Sequence, residues 1–271
     1  MTLPELTFDD IESAPSAKPV QQAKPKGGIR HGKIHRAQRV LIYGPGGIGK
    51  TTLASLAPNP VIIDVERGTG EIDGDVYDVE GEWSVQQFRA VLESPDLDPY
   101  KSIIIDSATR LEELVVEHTL ATVPNERGGR VERLEDYGYG KGYVHVHDQW
   151  RQLVHLVHRQ VERGRNVIWI CHDSTITAKN PMGEDYLRYE PRLMTSNGGK
   201  ASNRSLLIES VDHVVFLGMN MAVNSKTSKA VGGTRRAYTD NSPAYAAKSR
   251  RPPGQYQIKS ETDGSLWESL L

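Results

Sequence analysis

Uninterrupted runs of apolar residues recur along the chain at residues 40–43, 61–63, 103–105 and 167–171, and a further strand-like segment lies at 211–218. Apolar runs without polar alternation are typical of parallel strands that are covered on both faces. Between them, apolar residues at helical spacing predict helices at 83–93, after Ser107 and at 143–162. Strands that alternate with helices predict an α/β fold with a mainly parallel sheet flanked by helices.

The pattern changes at both ends of the chain. Residues 1–36 hold few large apolar residues, so we expect a flexible basic tail over 1–37 and one folded domain over 38–271. Near the C-terminus, 235–239 and 256–259 predict short antiparallel edge strands. Strand-like segments on either side of 180–183 predict a hairpin.

Composition restricts the class of protein. The net charge is only −2, but bases cluster at 20–39 and at 225–259. Such asymmetry suggests either a polyanion partner or a solvated basic surface. The single cysteine, Cys171, excludes an internal disulfide. With no membrane-length apolar run and no signal pattern, we expect a cytoplasmic protein without a membrane partner.

The strongest chemical signal follows the first predicted strand. The segment Gly44-Pro45-Gly46-Gly47-Ile48-Gly49-Lys50-Thr51-Thr52 contains the phosphate-binding pattern G-x-x-x-x-G-K-[ST]. Glycines allow backbone N–H groups to turn toward phosphate oxygens, and the following helix directs its free N–H groups at the same anion. Lys50 adds a positive charge, and the Thr51 hydroxyl is suited to Mg²⁺. The segment predicts a site for ATP and Mg²⁺.

Polar side chains follow three other predicted strands, at the edge where parallel sheets bind ligands. Asp106 is predicted to hold Mg²⁺ together with Thr51. Glu66, in preference to Asp64, is predicted to polarise the attacking water. His172 is predicted to sense the γ-phosphate. As alternatives, Glu66 and His172 could simply end their strands, and Asp106 could be a plain helix cap.

Two long polar segments, 124–142 and 174–204, are candidates for contact with single-stranded DNA. The first combines arginines with tyrosines, which suit a phosphate backbone and bases. The second follows directly from the strand that carries His172. Both segments also fit ordinary surface loops, and that alternative stays open.

The motifs GPGGIGKTTLA, VIIDVERG, SIIIDSATRL, VIWICHD and AKSR occur in an order that resembles RecA-type recombination ATPases, over about residues 38–260. The likeness is greatest to phage-encoded, core-only members associated with single-strand annealing. The resemblance implies a RecA-like P-loop core, Glu66 as catalytic glutamate, and Lys248 and Arg250 as cations that reach a neighbouring subunit's nucleotide. His172 stands where RecA carries a glutamine.

The resemblance further implies a ring or filament on single-stranded DNA in a phage-infected bacterial host, with a single-strand binding protein as a further partner. We therefore predict an ATPase that promotes annealing or strand exchange. Two alternatives stay open. One is a hexameric helicase-type motor, which would unwind a forked duplex, and the other is a nucleotide-switched protein that recruits a replication partner.

Overall fold

The apolar runs form strands because each is buried on both faces of one sheet. The computed structural model of the protein describes residues 29, 31–32, 36–196, 201–223 and 230–271, and Arg36–Leu271 is one compact unit. Most of the predicted tail over 1–37, and residues 197–200 of the segment 174–204, therefore lie outside the described residues. The strands of the described residues are β1 (Arg39–Gly44), β2 (Pro60–Asp64), β3 (Asp75–Tyr77), β4 (Ser102–Asp106), β5 (Asn166–Ala178), β6 (Tyr186–Pro191), β7 (His213–Val223), β8 (Ala230–Tyr238), β9 (Lys248–Ser249) and β10 (Gln255–Gln257).

The helices follow the predicted amphipathic segments, with two short additions near the C-terminus. They are α1 (Lys50–Ser55), α2 (Val85–Glu93), α3 (Ala108–Thr122), α4 (Lys141–Glu162), α5 (Asn203–Ser210) and α6 (Ser265–Leu270). Ser84 and Ser107 begin α2 and α3 by accepting hydrogen bonds from the backbone N–H groups of Gln87 and Arg110, as N-cap residues do.

The sheet has the order β10-β8-β7-β1-β5-β4-β2-β3. The strands from β7 to β3 pair in parallel, whereas β8, β9 and β10 pair antiparallel at the C-terminal edge, and β6 pairs antiparallel with the outer half of β5. This arrangement confirms the predicted α/β fold with its mainly parallel sheet and antiparallel edge strands.

Alternate residues of each central strand enter two hydrophobic cores, one on each face of the sheet. In β1, Leu41 and Tyr43 pack with the core beneath α2, α3 and α4, while Val40 and Ile42 pack with the core beneath α1 and α6. Burial on both faces is the reason why these strands lack polar alternation.

Three strand features differ from the sequence prediction. β5 continues for seven residues past Cys171, so the strand predicted at 167–171 runs directly into the β5–β6 hairpin. β3 and β9, of three and two residues, were not predicted. Strands this short carry no periodicity and form only because a neighbouring strand offers free hydrogen-bonding groups.

Candidate nucleotide site

The phosphate loop connects β1 to α1 at the carboxyl edge of the sheet. Gly47 and Gly49 have φ values of 71° and 91°, which side chains other than glycine rarely adopt. A Cβ on Gly44 would lie 2.1 Å from the Leu217 carbonyl oxygen, so β7 leaves no room for a side chain there. The loop closes around a cavity of about 310 Å³.

The predicted residues of the loop line this cavity together with the residues predicted on other strands. The lining residues are Gly46, Gly47, Gly49, Lys50, Thr51, Thr52, Glu66, Gly68, Ile72, Asp106, Ile170 and His172. Parallel pairing brings the strand ends together, since Asp64 lies opposite Asp106 and Gly44 opposite His172. The structure thus unites Lys50, Thr51, Glu66, Asp106 and His172 in one pocket.

Lys50 and Thr51 are both held by hydrogen bonds. Lys50 Nζ donates to the Gly44 carbonyl at 2.8 Å and to the Pro45 carbonyl at 2.9 Å. Burial lowers the pKa of Lys50, although the nearby Asp106 carboxylate opposes that change. Thr51 Oγ1 donates to Asp106 Oδ2 at 2.6 Å. Two hard oxygen donors in contact suit Mg²⁺, which a pair of protein oxygens holds alongside phosphate and water.

Asp106 is a buried carboxylate, with only 6% of the residue exposed. Burial raises its pKa to about 6, because removal from water disfavours the charged form, while the hydrogen bond from Thr51 acts in the opposite direction. A cation next to Asp106 would relieve this unfavourable charge, so the site favours a bound metal ion on electrostatic grounds.

Glu66 is oriented by two donors. Its Oε1 accepts hydrogen bonds from Ser107 Oγ and, at 2.8 Å, from His172 Nε2. The bond from His172 is the main cause that lowers the pKa of Glu66, with Ser107 acting in the same direction against burial. Glu66 is therefore ionised at neutral pH. Both bonds end on Oε1, and among the described residues Oε2 accepts none, which leaves that oxygen for a water molecule.

Asp64 stabilises the turn after β2 and is not a lining residue of the cavity. It is buried and accepts hydrogen bonds from Gly68 N, Thr69 N and Thr69 Oγ1, so that it orders the turn after β2. The geometry favours Glu66 over Asp64 as the residue that faces the cavity, in line with the preference drawn from the sequence.

Lys248 and Arg250 lie far from the cavity within the same chain. β9 pairs with the first residues of β7, at the amino end of the strands, whereas the phosphate loop follows their carboxyl end. Arg250 Nε contacts Asp212 Oδ1 at 3.1 Å, and Lys248 Nζ donates to the Glu209 carbonyl at 3.2 Å. Their predicted role in a neighbour's site remains a prediction.

Of the eight described cations in the two predicted DNA-binding segments, five form ion pairs within the chain. The pairs are Lys141 with Glu126, Arg133 with Asp136, Lys179 with Asp185, and both Arg188 and Arg204 with Glu190. Tyr137 is buried and donates to the Val123 carbonyl at 2.6 Å, so it is unavailable to stack on a base. Tyr139 is fully exposed. The role of these segments in binding DNA stays a prediction.

Several contributors to the site and to the surrounding sheet were missed from the sequence, among them Gly68, Ile72 and Ile170, which line the cavity. Ser107 was predicted only as a helix cap, yet it also donates to Glu66. Arg235 contacts the phosphate loop from β8, and Asp212 gathers Arg36, Arg39 and Arg250 at the amino end of the strands. Only the position of Ser107, directly after a strand-ending acid, offered a signal in the sequence.

A phosphate loop after the first strand, with an acid on a nearby strand bonded to its threonine, defines a P-loop nucleotide-binding ATPase. The model of the AAA domain family known as AAA_24 matches residues 36–251. The chain belongs to that family, which as a P-loop class uses ATP with Mg²⁺.

Among solved structures, a KaiC-like protein from the hyperthermophilic archaeon Pyrococcus horikoshii OT3 is 15% identical, with a TM-score of 0.43 over 84% of this chain and 88% of that chain. No curated protein matches the sequence. Among the described residues, no helix is long and apolar enough to cross a bilayer.

Proposed function

We propose that the protein is a RecA-type ATPase that assembles on single-stranded DNA, promotes annealing or strand exchange, and hydrolyses ATP between subunits. The convergence of Lys50, Thr51, Asp106 and Glu66 on one cavity supports the hydrolytic part of this proposal. The resemblance of the motifs to recombination ATPases supports the part that concerns DNA.

Each side chain has a defined task in the proposed reaction. Lys50 turns from the Gly44 and Pro45 carbonyls to the β- and γ-phosphates, which offer it stronger charge-assisted hydrogen bonds. Thr51 and Asp106 hold Mg²⁺, which neutralises charge on phosphate oxygens when it is bound. Glu66 accepts a proton from the attacking water through Oε2.

His172 couples this site to the β5–β6 hairpin in the proposed mechanism. It holds Glu66 Oε1 at 2.8 Å, and the same strand continues outward to Ala178. A γ-phosphate that competes for His172 Nε2 changes the partner of that side chain, and the strand transmits this change to the hairpin. The segment 174–204, which includes the hairpin, is one of the two segments proposed to contact DNA, and 124–142 is the other.

Among the described residues that line the cavity, Lys50 is the only lysine or arginine, so a second cation must come from elsewhere. In the proposal, Lys248 and Arg250 of a second copy supply it, since they lie at the opposite end of the strands. Cations that neutralise charge as the γ-phosphate departs are worth large rate factors in phosphoryl transfer. Assembly into a ring or filament would then be required for fast hydrolysis.

The ion pairs within both candidate DNA segments favour a second candidate function. Because five of their eight described cations pair with acids of the same chain, the segments have less net charge to offer a phosphate backbone. A nucleotide-switched protein that recruits a replication partner would use the same β5–β6 hairpin, whose Met182 and Leu187 are exposed.

Steady-state ATP hydrolysis with and without single-stranded DNA separates the two functions. The proposal predicts slow hydrolysis alone and faster hydrolysis with single-stranded DNA, with the stimulation weakening as salt rises. Light scattering under the same conditions should show assembly that requires ATP and DNA. Equal rates with and without DNA at every salt concentration would overturn the recombination function, and tight ATP binding with negligible turnover would support the second candidate.

A further inference from the structure

Arg235 of β8 joins the phosphate loop to the C-terminal segment of the same chain. Its Nη1 donates to the Ile48 carbonyl at 3.3 Å, and its Nη2 donates to the Ser260 carbonyl at 2.8 Å. One guanidinium group therefore bridges two backbone carbonyls that are more than two hundred residues apart in the sequence. Arginine suits such a bridge because its donors form a rigid, planar fork.

The guanidinium also occupies the space beside Gly49. A Cβ built on Gly49 would lie 2.3 Å from Arg235 Nη1, so the arginine and a side chain at that position exclude each other. Gly49 is the residue that begins α1, with φ at 91°. Arg235 thus packs directly against the turn whose N–H groups are expected to bind phosphate.

A second contact from the C-terminal segment holds the other end of α1. Trp267 is buried, and its Nε1 donates to the Leu53 carbonyl at 2.8 Å. α1 has only six residues, too few for a helix to be stable by itself. Residues 252–271, which lie beyond the part matched by the AAA family model, therefore support both ends of the segment that carries Lys50 and Thr51.

We propose that Arg235 is a positioning residue for ATP, which holds the phosphate loop in its binding conformation before the nucleotide arrives. Without the bridge, Gly46, Gly47 and Gly49 give the loop access to many backbone conformations. The conformational entropy lost when ATP orders the loop then reduces the binding free energy. The apparent Kd for ATP equals the intrinsic Kd divided by the fraction of molecules whose loop is in the binding conformation, so affinity falls as that fraction falls. This inference rests on the ATP-binding part of the proposed function and not on its DNA-binding part.

Titration with ATP and Mg²⁺ in the absence of DNA tests the inference on R235A, R235K and the control R151A. R235A should raise Kd and KM for ATP about tenfold, equivalent to about 1.4 kcal/mol, with kcat within about threefold of the wild type. R235K, which keeps the charge with a less rigid donor, should show a smaller rise. Arg151 is an exposed residue of α4 whose Nη2 donates to Asp148 Oδ1 at 3.1 Å, so R151A should bind ATP as the wild type does.

Two results would overturn the inference. One is R235A with the wild-type Kd; if the thermal midpoint of the nucleotide-free R235A protein is then lower, the arginine is merely structural. The other is R235A with an unchanged KM and a reduced kcat. If R235A does not fold, R235K decides the question by the same comparison. A wild-type chain that binds ATP but ignores DNA would fail the recombination proposal and leave this test intact.

Discussion

Replacement of Asp106 by asparagine should stabilise the nucleotide-free protein at pH 8 and abolish Mg²⁺-dependent hydrolysis. Burial raises the pKa of Asp106 from 3.8 to about 6, so above both values the folded state carries a carboxylate that water would stabilise better. At 1.36 kcal/mol per unit of pKa, this burial costs the folded protein about 3 kcal/mol. Asparagine removes the charge and keeps an oxygen that accepts the hydrogen bond from Thr51.

The stability difference between D106N and the wild type should depend on pH in a defined direction. Because the folded-state pKa of Asp106 is raised, the folded wild type binds the proton before the unfolded chain does. Wild-type stability from this group therefore rises as the pH falls from about 6 to about 4. The advantage of D106N should be greatest at pH 8, shrink through pH 6 and disappear below the pKa of the unfolded side chain.

Urea unfolding of nucleotide-free protein between pH 5 and pH 8 measures this difference, with D64N as the matched control. Asp64 is equally buried but accepts three hydrogen bonds, and an amide NH₂ would face one of those donors. D64N should therefore lose about 1–3 kcal/mol at every pH. A D106N protein that is no more stable than the wild type at pH 8, or whose advantage does not vary with pH, would refute the reasoning.

Substitutions at three further positions test the contacts of Glu66, His172 and Trp267. E66Q should still bind ATP with Mg²⁺ but lose about a hundredfold in kcat, since the base is gone; a smaller effect than tenfold in single-turnover assays would argue for another base. H172A removes the main cause that lowers the pKa of Glu66, so the acid limb of the pH–rate profile should move to higher pH, whereas H172Q, which retains a donor, should keep it near the wild-type position. W267F loses the donor to the Leu53 carbonyl and should cost about 1 kcal/mol in urea unfolding, and an unchanged midpoint would count against the support of α1.

The central strands and the phosphate loop could be predicted because their signals are local. Three consecutive isoleucines at 103–105 have no polar face to expose, so they require a strand that is covered on both sides. The glycine pattern before Lys50 and Thr51 is likewise a local requirement, since a phosphate needs close backbone approach. Strand boundaries were less certain, because β5 runs on into a hairpin that alternates like a surface strand.

The contacts around Glu66 could not be predicted, because they depend on how three strands align. Ser107 and His172 lie 41 and 106 residues from Glu66 in the sequence, and parallel pairing brings both to one carboxylate oxygen. The two candidate DNA segments show the same limit. The sequence shows which residues are cationic, but only the fold shows that most of the described cations pair with acids.

The sequence alone determined the class of this protein: buried strands between helices, and a glycine-rich loop suited to phosphate, since apolar periodicity and backbone freedom are properties of neighbouring residues. Tertiary structure decided which side chains act together. It placed Arg235 against Gly49, Trp267 on α1, and Lys248 with Arg250 at the end of the strands away from the phosphate loop. Hydrogen bonds and charge effects act over a few ångströms of space, and the separation of two residues along the chain does not show whether they come that close.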